Sequence, residues 1–233
     1  MSNGLLSLNL GLGRRFTVVP LVLALATTAV ETTCFAQPRK PDKDGWISLM
    51  PSPDFREWEK TNFGGEGEIV LKEGAGELIM DVGQPLTGVT YREKFPKENF
   101  EIRWEASRLE GSDFLAGLTF PVGEEFCSFI CGGWGGGLIG LSSIDGNDAS
   151  ENETSQHEDI KNGKWYRFLV RVDSKNITVT MDDKKIIETP RDGKAFSVRG
   201  EVRANRPMGY CVFQSKVAIR KWEYRTVDTA KKP

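Results

Sequence analysis

The chain has 233 residues, with 31 Lys+Arg against 33 Asp+Glu and a formal charge of −2 at pH 7. A surface so evenly charged argues against a nucleic-acid partner, because phosphates reward a basic face. With a leader of 36 residues set aside about 197 remain, enough for one well-filled core and within the range of a single all-β domain.

The leader reads as an export signal. Arg14 and Arg15 precede an apolar run from Phe16 to Val30, and Cys34, Phe35 and Ala36 lead to a cleavage point before Gln37. The run is about 15 residues, short of the roughly 20 that span a bilayer, and no basic stop-transfer flank follows it. The mature protein is therefore expected to be secreted or periplasmic, with no membrane attachment after cleavage. Residues 37–44 form a polar, proline-bearing linker, residues 45–227 the domain, and residues 228–233 a C-terminal tail.

From residue 68 onward strand signals dominate: 68–72, 77–82, 89–95, 99–109, 114–121, 125–132, 138–142, 165–173, 177–182, 185–188, 210–214 and 217–225. Period-two alternation carries this reading. Phe100, Ile102, Trp104 and Ala106 share one face of their run, while Glu101, Arg103, Glu105 and Ser107 share the other, so one side is core and the other is wet. Tyr166, Phe168, Val170 and Val172 repeat the pattern opposite Arg167, Arg171 and Asp173. A hairpin is expected at Asp182, Asp183 and Lys184. About a dozen short strands with Gly, Pro and Asp turns, and no helical stripe, predict two antiparallel sheets packed face to face as a jelly-roll sandwich.

Cys127, Cys131 and Cys211 survive cleavage, an odd number for an oxidising compartment. Cys127 and Cys131 are about 13 Å apart on a fully extended strand, too far for a bridge. Cys211 can pair with either across the sheet, or all three serve as small buried apolar side chains. His157 is the only histidine, which leaves no zinc ligand set.

The densest functional signal runs from Cys131 to Thr154. Five glycines at 132, 133, 135, 136 and 137 surround Trp134. Glycine forgoes side-chain packing where backbone must approach something closely or take positive φ, and an exposed indole beside bare backbone suits a sugar ring. A barrel-corner bend with the tryptophan in the core is the alternative. Behind the glycines, Asp145, Asn147, Asp148, Glu151 and Asn152 offer the clustered oxygens that calcium or another divalent cation takes, although not in EF-hand spacing; an Asx-built turn is the competing reading.

A set of motifs in fixed order adds a resemblance. It comprises Trp46 to Leu49, Phe55 to Trp58, Asn99-Phe100-Glu101, Gly163-Lys164-Trp165, Ile177-Thr178-Val179 leading to Asp182, Pro207-Met208-Gly209, and Ile219-Arg220. Over Gly45 to Val227 the chain resembles the 3-keto-disaccharide hydrolase family, also described as 3-keto-glycoside lyase and hydratase domains. The resemblance implies a concanavalin A-like lectin and glucanase sandwich and a glycoside or oligosaccharide ligand. It also implies elimination or hydration chemistry, in which a base takes the proton next to the 3-keto group and an electrophile and an acid assist the departure. The Glu-x-Asp-x-x-Glu strand of retaining glucanases is absent. Glu101 and Glu105 lie about 13 Å apart on an extended strand, beyond the roughly 5 Å of a retaining pair.

Candidate chemistry then falls on Glu101, Arg103 and Glu105 as a catalytic row, with the glutamates as bases and the arginine orienting hydroxyls. Trp134, His157, Arg199 and Glu201 are expected to bind substrate, and Asp145, Asp148, Glu151 and Asn152 to hold the cation. The reading with fewer demands is a non-catalytic lectin-like domain using Trp134 and its loops, with the charged row a solvated sheet face. An enzyme requires the charged row and Trp134 to converge on one cleft.

Overall fold

The computed structural model describes residues 39–227. The expected export signal at 1–36 and the tail at 228–233 lie outside the described residues. In chain order the strands are β1 (Ile47–Ser48), β2 (Trp58–Lys60), β3 (Ile69–Lys72), β4 (Glu77–Met80), β5 (Leu86–Tyr91), β6 (Phe100–Gly111), β7 (Ala116–Val122), β8 (Glu125–Gly133), β9 (Leu138–Ser142), β10 (Gln156–His157), β11 (Tyr166–Val172), β12 (Asn176–Met181), β13 (Lys184–Pro190), β14 (Gly209–Phe213) and β15 (Ser215–Thr226). Two short 3-10 turns, Glu73–Ala75 and Gly200–Asn205, are the helical elements among the described residues.

All strand pairs are antiparallel. One sheet runs β13, β12, β11, β6, β15, β4, β3, with β1 added on β15; the other runs β10, β9, β8, β7, β14, β5, β2. The inward row of β6 is buried as its alternation requires. Trp104 stacks on Phe168 of its own sheet at 4.9 Å and meets Phe129 and Tyr210 of the other sheet edge-on at 6.2 Å. Such offset and edge contacts suit the ring quadrupole and lock the two sheets together. The hairpin turn is Asp182–Asp183, both at positive φ, as a two-residue connection between twisted strands needs.

Irregularity in β15 has a sequence cause. Val217 and Ile219 point into the core, and strict alternation would send Lys221 after them. A register shift between Arg220 and Glu223 leaves Lys221 outside and gives Trp222, fully buried, the inward place. The predicted 89–95 strand instead begins at Leu86 and ends at Tyr91. The two- and three-residue strands β1, β2 and β10 are too short to show any period. The outward face of β6 also differs from a solvated one, since Glu101 and Ser107 are buried.

Candidate functional site

Antiparallel pairing of β7 with β8 brings the start of one beside the end of the other, with Ala116 opposite Cys131. The β6–β7 connection thus meets the glycine-rich β8–β9 turn. Trp134 sits at φ 49° and Gly135 at φ 88° in that turn. A side chain on Gly136 would place Cβ 2.7 Å from the Ser112 carbonyl, so the close approach demands glycine. Asp113 pins the turn by accepting the Gly135 N–H at 3.0 Å. Trp134 is left 44% exposed.

Around it a cavity of about 240 Å³ opens on the outer face of the seven-stranded sheet. Its floor is Ser128, Ile130 and Ser142 from β8 and β9, with Leu86 and Phe213 from the strands beyond. Phe114 bridges the aromatic walls, 6.2 Å from Trp134 and 5.5 Å from Phe213 between ring centroids. The remaining wall comes from Val202 in the Gly200–Asn205 turn, packed on Leu86 and Cys211. The polar rim is Arg199, Glu201 and Asp113.

Arg199 lies with its guanidinium 5.6 Å from the Trp134 ring centre and bonds Asp148 at 2.6 Å and Glu201 at 2.7 Å. The hydrogen bond from Arg199 is the main cause holding the Glu201 carboxyl below its usual pKa. Burial works against ionisation of Asp148, but Ser150 and Arg199 more than offset it and its pKa is also lowered. Asp113 is the opposite case: burial pushes its pKa up. Its Oδ1 is buried without a hydrogen-bond partner.

The predicted site residues divide between opposite faces of the sandwich. Trp134, Arg199 and Glu201 come together in the cavity just described. Glu101, Arg103 and Glu105 line a groove on the outer face of the eight-stranded sheet, so convergence of the catalytic row on the Trp134 cleft is not what the fold produces. The reason is strand order: β6 lies centrally in one sheet, and β8 lies in the other. Each member of the row is also held by a neighbour. Glu101 pairs with Arg171 at 3.2 Å and Arg225 at 2.7 Å, Arg103 with Glu223 at 2.6 Å, and Glu105 with Arg220 and Lys221 at 2.7 Å. Burial opposes the charge on Glu105, but the bonds from Lys221 and Arg220 prevail and lower its pKa. Trp46 packs under two of these guanidinium groups, Arg103 at 3.9 Å and Arg225 at 4.4 Å.

His157 is exposed on β10 opposite Leu138 and is not part of the cavity lining. Three of the four residues proposed for a cation, Asp145, Asp148 and Asn152, turn oxygens to the protein instead. Asp145 accepts the Ala195 N–H at 2.8 Å, and Asp148 serves Ser150 and Arg199. Asn152 donates to the Leu141 and Asp148 carbonyls at 2.7 Å and accepts from Thr154. Glu151 is exposed. No group of three or more acidic, histidine or cysteine side chains arranged for a metal occurs among the described residues. Cys127, Cys131 and Cys211 are all free and buried, so of the two alternatives left open by the sequence the three serve as small buried side chains and Cys211 pairs with neither of the others. Asp113, Phe114 and Phe213 escaped the sequence reading. Only the register of β7 on β8 reveals that residues 113 and 134 are neighbours.

Two sheets of seven and eight strands with a cavity on one outer face define a concanavalin A-like, galectin-like jelly roll. Two solved structures share this fold at low identity. The exoplasmic/lumenal domain of VIP36, in its Ca2+/Man3GlcNAc-bound form, matches with TM-score 0.54 and 11% identity over 84% of this chain and 93% of that one. A Bacillus subtilis protein of unknown function with a galectin-like fold matches with TM-score 0.53 and 12% identity over 78% and 94%. The chain belongs to the 3-keto-alpha-glucoside-1,2-lyase-like domain family, whose model matches residues 45–228. It is therefore a carbohydrate-active domain. No curated protein matches the sequence.

Proposed function

We propose that the Trp134 cavity binds a glycoside, with a 3-keto-glucoside as the class that family membership points to. The observation that carries this reading is the exposed indole, backed by Phe114 and rimmed by Arg199 and Glu201. It offers an apolar sugar face a flat surface and its hydroxyls a charged donor and acceptor. The saccharide in the VIP36 structure is in keeping with such use of the fold. Binding without turnover is the reading the geometry favours, because the charged row on β6 is already committed to ion pairs on the other face.

One observation supports a catalytic second reading. Asp113 is a carboxyl in the cavity lining whose pKa burial raises, the direction that makes a carboxylate a stronger base. In that role it would take the C2 proton beside the 3-keto group, the C1–O bond would break, and the departing oxygen would gain a proton. Export through residues 1–36 belongs to the same proposal and would deliver the domain to extracellular or periplasmic glycosides. The test is calorimetric titration of a 3-keto-glucoside and its parent glucoside, with a parallel assay for released aglycone with and without chelator. Binding without release supports the lectin-like reading; release abolished by Asp113→Asn supports the catalytic one. Absence of binding to wild type, but not to other family members, refutes the assignment of this cavity.

A further inference from the structure

A second cleft, of about 280 Å³, flanks the same segment that walls the Trp134 cavity. Residues 196–198 border this cleft, and Arg199, Glu201 and Val202 border the other. On β8 the inward residues Cys127 and Phe129 alternate with the outward Phe126, Ser128 and Ile130. Phe126 lines the second cleft and Ile130 the first, about 13 Å apart at extended-strand spacing. A ligand reaching from one to the other is longer than a monosaccharide.

Arg203 and Arg206 line the second cleft, and Arg206 lies 5.3 Å from the Phe126 ring centre. Among the described residues the other arginines are ion-paired, apart from the buried Arg108, which donates to Asn162 and to the Asp113 and Ile160 carbonyls. Arg203 and Arg206 are exposed and have no carboxylate partner among those residues. The facing acids are occupied: Glu124 pairs with Lys97, and Glu125 accepts the Phe196 N–H at 3.0 Å. The two arginines also stand on an anchored support. Asn205 between them donates to Thr61 at 3.0 Å and to the Val89 carbonyl at 3.1 Å, and Thr90 donates to the Ala204 carbonyl at 3.0 Å. Gly209 makes room for this, since a Cβ there would fall 2.6 Å from Asn205 Nδ2. Two guanidinium forks on an anchored backbone, with no carboxylate among the described residues paired to either and Arg206 steadied by its Nε bond to the Arg203 carbonyl at 3.2 Å, suit a planar carboxylate.

We infer that this cleft is a second subsite, which takes the carboxylate of a uronic acid unit in an oligosaccharide whose neighbouring unit occupies the Trp134 cavity. This rests on the saccharide reading of that cavity. The test is retention on an immobilised panel that pairs xylan with glucuronoxylan fragments and galactan with polygalacturonate fragments, with a sulfated galactan included. Folded wild type, Trp134→Ala, Arg203→Gln/Arg206→Gln and Arg203→Lys/Arg206→Lys are compared, each checked by near-UV circular dichroism. Wild type should retain the uronate members more tightly than their neutral pairs, and the glutamine variant should weaken them about tenfold more than it weakens the neutral ones. The lysine variant, which keeps the charge and loses the fork, should fall between. Equal weakening of neutral and acidic members overturns the subsite while leaving the Trp134 cavity standing. A preference for the sulfated galactan over the uronates overturns the carboxylate assignment. No retention of any member by wild type overturns the subsite, while the 3-keto-glucoside titration decides the cavity reading separately.

Discussion

Trp134→Ala removes the indole from the cavity wall while leaving the turn that presents it. Asp113 still accepts the Gly135 N–H, and the glycines that set the turn are untouched. With 44% of the residue exposed and roughly 250 Å² for a large aromatic side chain, about 110 Å² is open to a ligand. A sugar face covering half of that area at about 25 cal/mol per Å² gains about 1.4 kcal/mol, or tenfold in Kd. The roughly 140 Å² of the residue that folding withdraws from water sets an upper bound of about 3.5 kcal/mol on the stability lost. Calorimetric titration with a 3-keto-glucoside, beside a thermal melt, separates the two effects. An unchanged Kd, or a loss of binding that tracks a collapse in Tm, would refute the assignment of the indole as a ligand platform.

Other outcomes follow from the same geometry. Glu101→Gln unpairs Arg171 and Arg225 from a buried carboxylate and should cost about 1–2 kcal/mol of stability in denaturant titration, discounted because both arginines are partly exposed, with saccharide affinity unaltered. Glu105 has a lowered pKa, so its stabilisation is present above the ordinary glutamate value of 4.5 and is lost as pH falls through the folded value; Glu105→Gln should flatten the acid limb of the stability curve. The Asp113 pKa is raised, so its contribution has the reverse sign: greatest below the ordinary aspartate value of 3.8 and lost as pH rises through the folded value. Asp113→Asn should therefore be at least as stable as wild type at pH 7 in a thermal melt. Burial pushes the Cys127 and Cys211 thiols up to about 12, and a thiol reagent should leave Cys127, Cys131 and Cys211 unmodified until the protein unfolds.

Strand alternation carried the fold. The inward row from Phe100 to Ala106 and its counterpart from Tyr166 to Val172 occupy the core, as a period of two demands. Site prediction from the same period was less informative, because alternation turns Glu101 away from the inward row without showing whether it shares an outer face with Trp134, whose expected exposure rests on its glycine neighbours alone. Sheet membership is a long-range fact: β6 neighbours β11 and β15, whereas β8 neighbours β7 and β9. The oxygen-rich loop misled for a related reason. Asp, Asn and Glu in a short span look alike whether they surround a cation or cap their own backbone, and Asn152 spends both ends of its amide on the chain. Asp113 was invisible because its importance comes from burial beside a turn some twenty residues away, a consequence of the β7–β8 register.

The most direct measurement is a two-dimensional nitrogen–proton spectrum of the six tryptophan indoles during titration with a 3-keto-glucoside. A saccharide in the cavity on the seven-stranded sheet shifts the Trp134 indole resonance in proportion to occupancy and leaves Trp46 and Trp165 in place. Shifts at Trp46 and Trp165, packed beneath the arginines of the eight-stranded face, with Trp134 unmoved would place the ligand on the other side of the sandwich and contradict the account.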